Sequence, residues 1–259
     1  MTEALLYGLV AGVSIGFAAG YIGSLMVLKR MALVGDAMSH VALPGLALGL
    51  LLGFNPFLGA FAFLFTAAVV TWYLEQATKL SVESIVGVLF VLALAVGILL
   101  TPEPDLLEAL FGNIASVTWL YAVAAVMVSI VVVLLTRVVY HRVVLSLISE
   151  ELARSTGVRV AQVNLVYLLL VALIVAAGIQ IVGSLLVGAL VILPGAAMKN
   201  VGSSLDRYGV LSGIAGTVSA TAGILLSAAV NLAAGPLIVV VGVVLFLGVI
   251  VAHQVVRAA

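Results

Sequence analysis

The chain has 259 residues, of which 65% are hydrophobic and 8% charged, with a mean hydropathy of +1.43 and zero formal net charge. Soluble domains carry about 25% charged residues, so this composition excludes an ordinary soluble fold and indicates a polytopic membrane protein. The absence of cysteine excludes disulfides, thiolate metal sites and a cysteine nucleophile, and the neutral balance gives no reason to expect a nucleic-acid partner.

Apolar runs of about 17–25 residues can cross the hydrocarbon layer as helices, and about nine are legible at 4–28, 32–53, 57–78, 82–101, 117–136, 161–179, 182–199, 209–230 and 236–256. The expected fold class is therefore all-α, a single membrane helix bundle over residues 1–259. Met1-Thr2-Glu3 lacks the positive start of a cleavable signal peptide, so the first run is expected to be a retained span. The seventh run is short, and 231–236 reads either as a tight turn or as a re-entrant kink.

Between spans 1 and 2 lie Lys29 and Arg30, and span 2 then contains Leu33-Val34-Gly35-Asp36-Ala37-Met38-Ser39-His40. Positions four apart share a helix face, so Asp36 and His40 can converge on one ligand. Ionisable groups in hydrocarbon are costly and by default mark a pathway or a binding site. A carboxylate beside an imidazole suits a divalent transition metal; the competing reading is a buried pair that only fixes helix packing. At 1.5 Å per residue, Asp36 lies about 9 Å and His40 about 15 Å along the helix from Arg30, which puts His40 near the middle of a core about 30 Å thick. Ser39 offers a second-shell hydroxyl or a small residue for close helix contact. Pro44-Gly45 follows one turn later, where proline removes a backbone donor and loosens the helix. Leu43-Pro44-Gly45 in span 2 and Leu193-Pro194-Gly195 in span 7 hint at an inverted repeat with paired helix breaks around a central site.

Lys79 follows span 3, Arg137, Arg142, Arg154 and Arg159 lie between spans 5 and 6, Lys199 and Arg207 between spans 7 and 8, and Arg257 after span 9. With nine alternating spans all 10 basic residues fall on one side, which the positive-inside rule makes cytoplasmic. The N-terminus is then outside and the C-terminus inside. The outer side carries Glu3, Glu103, Asp105 and Glu108. Glu75 and Glu83 are expected at inner edges near Lys79, solvated or paired. His141 and His253 read as interfacial, and Gln180 either lines an entrance or snorkels at the outer edge.

In the cytoplasmic stretch, Ser149 is a suitable N-cap, Glu150 and Glu151 complement the positive helix end, and Gly157 can adopt the left-handed cap. A two-turn helix results, either a docking element for a partner or an amphipathic connector.

Taken together, Leu28 to His40 with Leu43-Pro44-Gly45, Glu150-Glu151-Leu152-Ala153 closing at Gly157, Val182 to Ala197 and Leu226-Ser227 with Ala234-Gly235-Pro236 resemble the zinc/manganese/iron-type permease subunits of bacterial and archaeal ABC importers. Ser149 stands where such loops commonly carry aspartate, and Pro194-Gly195 where Pro-Ala is more usual. The resemblance implies a type II ABC importer-like permease that pairs with a second permease subunit, expected as a homodimer, receives metal from an extracytoplasmic binding protein and is driven by cytoplasmic ATP-binding subunits. It implies metal ligands at Asp36 and His40, and an ATPase-coupling helix at about 149–157 with Glu150, Glu151, Ala153 and Gly157. Glu103, Asp105 and Glu108 become docking or cation-attracting groups for the binding protein, against the alternative of a solvated loop.

The expected function is inward movement of zinc, manganese or iron across the cell membrane as cargo, with no resident cofactor and no enzyme activity of the chain's own. No phosphate-cradling Gly-x-x-x-x-Gly-Lys-Ser/Thr loop is present, and no His-Glu-x-x-His motif of a metalloprotease. The competing class is a self-sufficient proton-coupled carrier or channel using the same acid and histidine.

Overall fold

The computed structural model describes residues 3–78, 80–100 and 110–258, the last three by backbone alone. Among them every long element is an α-helix. In chain order these are α1 (Glu3–Leu28), α2 (Ala32–Val41), α3 (Leu43–Leu52), α4 (Pro56–Ala77), α5 (Val82–Leu100), α6 (Trp119–Ile148), α7 (Glu150–Ser155), α8 (Val160–Val182), α9 (Val187–Met198), α10 (Leu205–Val230) and α11 (Ala234–Ala258), with a 3₁₀ turn at Ile114–Ser116. Counting α2 and α3 as one segment, eight described helical segments are long and apolar enough to cross a membrane. The seventh expected span resolves into α9, only 12 residues or about 18 Å long. Its helix starts late because Gly183, at φ 86°, turns the chain after α8. The 231–236 link is a tight turn, with Asn231 in the left-handed region at φ 55° before α11 begins.

The centre of the bundle is built on α1. Gly8, Gly12, Gly16 and Gly20 recur every fourth residue and so share one stripe. Lipid tails are as apolar as leucine, so helices in a membrane associate through close packing, and small residues let backbones meet. At the α1–α10 crossing, a Cβ on Gly16 would lie 2.6 Å from the Gly216 carbonyl oxygen, and one on Gly216 would lie 2.0 Å from that of Gly16. Large apolar side chains remain outside on α5 and α11, among them Val88, Leu99 and Val244, as a lipid-facing surface requires.

Charged residues gather at one end. Lys29 donates to Asn164 Oδ1 at 2.9 Å, Asn164 donates to Glu75 Oε1 at 3.4 Å, and Trp72 donates to the Ala161 carbonyl at 2.8 Å. These bonds tie the end of α1 and the end of α4 to the start of α8, and a cleft of about 630 Å³ there also reaches Arg30, Glu83, Glu150 and Arg154. Burial pushes the Lys29 ammonium below the usual lysine range, and the nearby Glu75 carboxylate opposes that shift. Glu75 thus finds its partners in Asn164 and Lys29; Lys79, its expected neighbour, lies outside the described residues.

Candidate metal site

Helix α2 is launched by a tight hook. Arg30 N–H bonds the Val27 carbonyl and Met31 N–H the Met26 carbonyl, the paired closure of a Schellman cap, with Arg30 at φ 59° in the place usually held by glycine. The turn reverses the chain so that α2 packs back into the bundle. Its Asp36 is half-buried and its His40 only 7% exposed.

Each side chain of the pair has a defined setting. The Asp36 backbone passes so close to α9 that a Cβ on Gly188 would lie 2.5 Å from Asp36 Cα and 2.9 Å from its Oδ1. Glycine at 188 is therefore what allows the carboxylate to sit against α9. The His40 ring packs edge-on to Phe90 of α5, with centroids 5.1 Å apart, and its Nδ1 is buried with no hydrogen-bond partner. A buried polar atom without a partner costs free energy unless something binds it. Ser39 is fully buried and donates to the Asp36 carbonyl oxygen at 2.6 Å, so its proton is spent inside the helix.

The Leu-Pro-Gly segments differ from the sequence expectation. Between α2 and α3 the helix is interrupted at Ala42, and Pro44 stands in the first turn of α3. Gly45 serves packing: a Cβ there would lie 2.2 Å from the Gly59 carbonyl oxygen on α4. Helix α9 instead runs unbroken through Pro194 and Gly195, and the interruption in that segment precedes it, at 183–186. Gly20 on α1 leaves room for the Pro194 ring, since a Cβ there would lie 3.2 Å from Pro194 Cβ.

The short helix α7 has the expected caps. Ser149 Oγ accepts from Leu152 N–H at 3.2 Å, Glu150 pairs with Arg154 at 2.6 Å, and Gly157 sits at φ 82°. Gly157 N–H bonds the Arg154 carbonyl and Val158 N–H that of Ala153, again a Schellman closure. Ala153 is fully buried against its own chain, so it cannot be a docking surface; the outward face presents Glu150, Glu151 and Leu152, beside exposed Ile148. A two-turn helix must anchor one side to stay ordered, and Ala153 is that side.

Other expected groups lie apart from the pair. His141 is exposed and meets Tyr140 edge-on, while His253 Nε2 is buried without a partner on α11. Gln180 donates to the Ser116 carbonyl at 3.4 Å and holds the 3₁₀ turn at the far end of the bundle. Glu103, Asp105 and Glu108 lie outside the described residues. Among the described residues no three His, Cys, Asp or Glu side chains converge as a metal cage. Asp36 and His40 alone fall short of the four to six ligands that divalent transition metals take.

Sequence and fold comparison decides the family. Residues 1–253 match the ABC 3 transport family. The chain belongs to that family. It is similar to the manganese transport system membrane protein MntC of Listeria monocytogenes, 32% identical over 242 residues that cover 92% of this chain and 86% of the relative. It is also similar to the manganese import system permease protein ScaB of Streptococcus parasanguinis, 36% identical over 137 residues; that match spans 50% of this chain and about half, 49%, of the relative. Among solved structures, PsaBC from Streptococcus pneumoniae in complex with Fab superposes with a TM-score of 0.84 at 29% identity, covering 96% of this chain and 91% of the other. A second ABC transporter chain, solved in an inward-facing conformation, shares the fold with a TM-score of 0.78 at 19% identity over 95% of this chain and 85% of its own. This family member is a multi-pass membrane permease.

Proposed function

We propose that this permease carries a divalent transition metal, manganese first, inward across the cell membrane as cargo, with Asp36 and His40 as its ligands. The observation that carries the reading is the half-buried carboxylate one turn from a buried imidazole whose Nδ1 has no partner, in a helical segment long and apolar enough to cross a membrane. The relatives' names supply manganese; a carboxylate with an imidazole and no thiolate also accommodates zinc and iron.

The two-ligand set supports pairing of two copies, each contributing Asp36 and His40 to a shared shell completed by water. Weak, divided ligation suits a transporter, which must release what it binds. The basic end faces the cytoplasm in this proposal, placing the N-terminus outside and the C-terminus inside. Cytoplasmic ATP-binding subunits then dock on the outward face of α7, at Glu150, Glu151 and Leu152, with Gly157 keeping that helix in shape. An extracytoplasmic binding protein delivers metal at the opposite end, where Glu103, Asp105 and Glu108 are the attracting groups.

The test is uptake in a host lacking its own importer, with the ATPase supplied and manganese, zinc and iron offered one at a time. Manganese accumulation that requires both subunits and ATP supports the reading. Proton-driven uptake by the chain alone would replace it with a secondary carrier.

A further inference from the structure

We propose that a cleft between α6 and α8 is a binding site for one anionic phospholipid. The cleft encloses about 430 Å³, with Arg142, Arg159 and Gln162 at its polar part and Val139, Val163 and Val166 along its apolar part. Among the described residues, neither guanidinium makes an ion pair; the arginine that does is Arg154, with Glu150. No carboxylate lines this cleft, whereas the neighbouring one at the same end of the bundle mixes Lys29, Arg30 and Arg154 with Glu75, Glu83 and Glu150. One cleft is internally balanced. The other has two positive charges and no counter-charge.

The axial order of the lining identifies the ligand class. Arg159 immediately precedes α8, and Val166 lies seven residues further, about 10 Å deeper along the helix axis. On α6, which runs the opposite way, Val139 likewise lies about 4.5 Å deeper than Arg142. The charged groups therefore sit at the rim and the valines lead into the membrane. A guanidinium fork matches phosphate oxygens in a bidentate manner, and basic pockets between helices on the cytoplasmic side recruit acidic headgroups. A free phosphate would satisfy the arginines and leave the valine wall without an occupant. A phospholipid satisfies both, with headgroup phosphate at Arg142 and Arg159 and one acyl chain along the valines. Thr156 and Gly157 also line the cleft, so the bound lipid would abut the cap that closes α7. The site assumes the cytoplasmic placement of the basic end and is independent of which metal is carried.

The test uses the purified chain, delipidated in a neutral detergent and titrated separately with phosphatidylglycerol, phosphatidylcholine and glycerol 3-phosphate, read by native mass spectrometry and thermal unfolding. Phosphatidylglycerol should form a one-per-chain adduct and raise the melting temperature, at concentrations where the other two do neither. Arg142→Gln with Arg159→Gln should weaken that adduct at least tenfold and leave metal binding unchanged, while Arg207→Gln, outside the cleft, should keep it. Should the double glutamine variant fold poorly, Arg142→Lys with Arg159→Lys should bind phosphatidylglycerol measurably less than the native chain, because charge remains but the fork is lost. Equal binding of phosphatidylcholine would overturn the proposal, as would an undiminished adduct in the double variant. Equal stabilisation by glycerol 3-phosphate would make this a soluble-anion site and sink the lipid assignment.

Discussion

The same tripeptide, Leu-Pro-Gly, occurs at 43–45 and 193–195, and the chain treats the two differently. At the first, Pro44 stands in the opening turn of α3, after the interruption at Ala42. At the second, Pro194 lies inside α9 and the helix continues. A proline inside a helix loses one backbone hydrogen bond and crowds the preceding turn, so its effect depends on whether the surroundings tolerate the loss. Gly20 leaves room for Pro194. The glycines that follow differ as well: Gly45 abuts the Gly59 backbone of α4, and Gly195 that of Gly23 on α1, with clearances of 2.2 Å and 2.8 Å for an added Cβ. A shared motif therefore fixes a local capability, and packing decides whether a break follows.

Substitution at the glycines should give the largest contrast. Gly45→Ala must force apart two backbones, and overpacking of this kind costs about 1–3 kcal/mol. Gly195→Ala should cost less, because the nearest atom is farther away. Thermal unfolding in detergent would rank them, and a greater loss at 195 would break the comparison.

Gly188→Ala comes next, because α9 then presses on Asp36 directly. Changes that displace a metal ligand through its surroundings lower affinity about 10–100-fold, so metal binding should weaken by about tenfold while the helices remain folded. Binding calorimetry with manganese checks this, and native affinity in Gly188→Ala would show that the Asp36 position is not set by α9.

The proline substitutions should have the smallest effects. Pro44→Ala should leave stability within about 0.5 kcal/mol, because proline in a first helical turn sacrifices no intrahelical bond. Pro194→Ala should stabilise by about 1 kcal/mol, as it restores a donor in a helix interior. Equal melting temperatures for native chain, Pro44→Ala and Pro194→Ala would remove any energetic distinction between the two positions.

The spans were legible because hydropathy is local: most long apolar runs became helices within a few residues of their expected ends, but α6 continues to Ile148, 12 residues past the expected end at 136, because a helix once formed can run on through the polar stretch beyond the apolar run. The caps of α7 were legible for the same reason, since Ser149 and Gly157 act through neighbouring backbone. The hook at Arg30 was not, because an arginine carries no signal for the left-handed region. Gly188 was missed because its role is defined by Asp36, 152 positions away in sequence, and glycine is common along this chain. Ala153 was misread because the sequence gives a two-turn helix no periodicity long enough to show its inward face. The late start of α9 depended on Gly183, one of 26 glycines with nothing local to distinguish it.

The central claim is that Asp36 and His40 together hold the transported metal. It is tested most directly by measuring manganese binding to the purified permease and to Asp36→Asn and His40→Ala, at neutral pH and again after acidification. The account predicts that each substitution weakens binding at least tenfold without lowering the yield of folded protein. It also predicts that acidification weakens the native site, because both ligands must be deprotonated to coordinate. Native affinity in both variants would contradict it and leave the pair a packing element of α2.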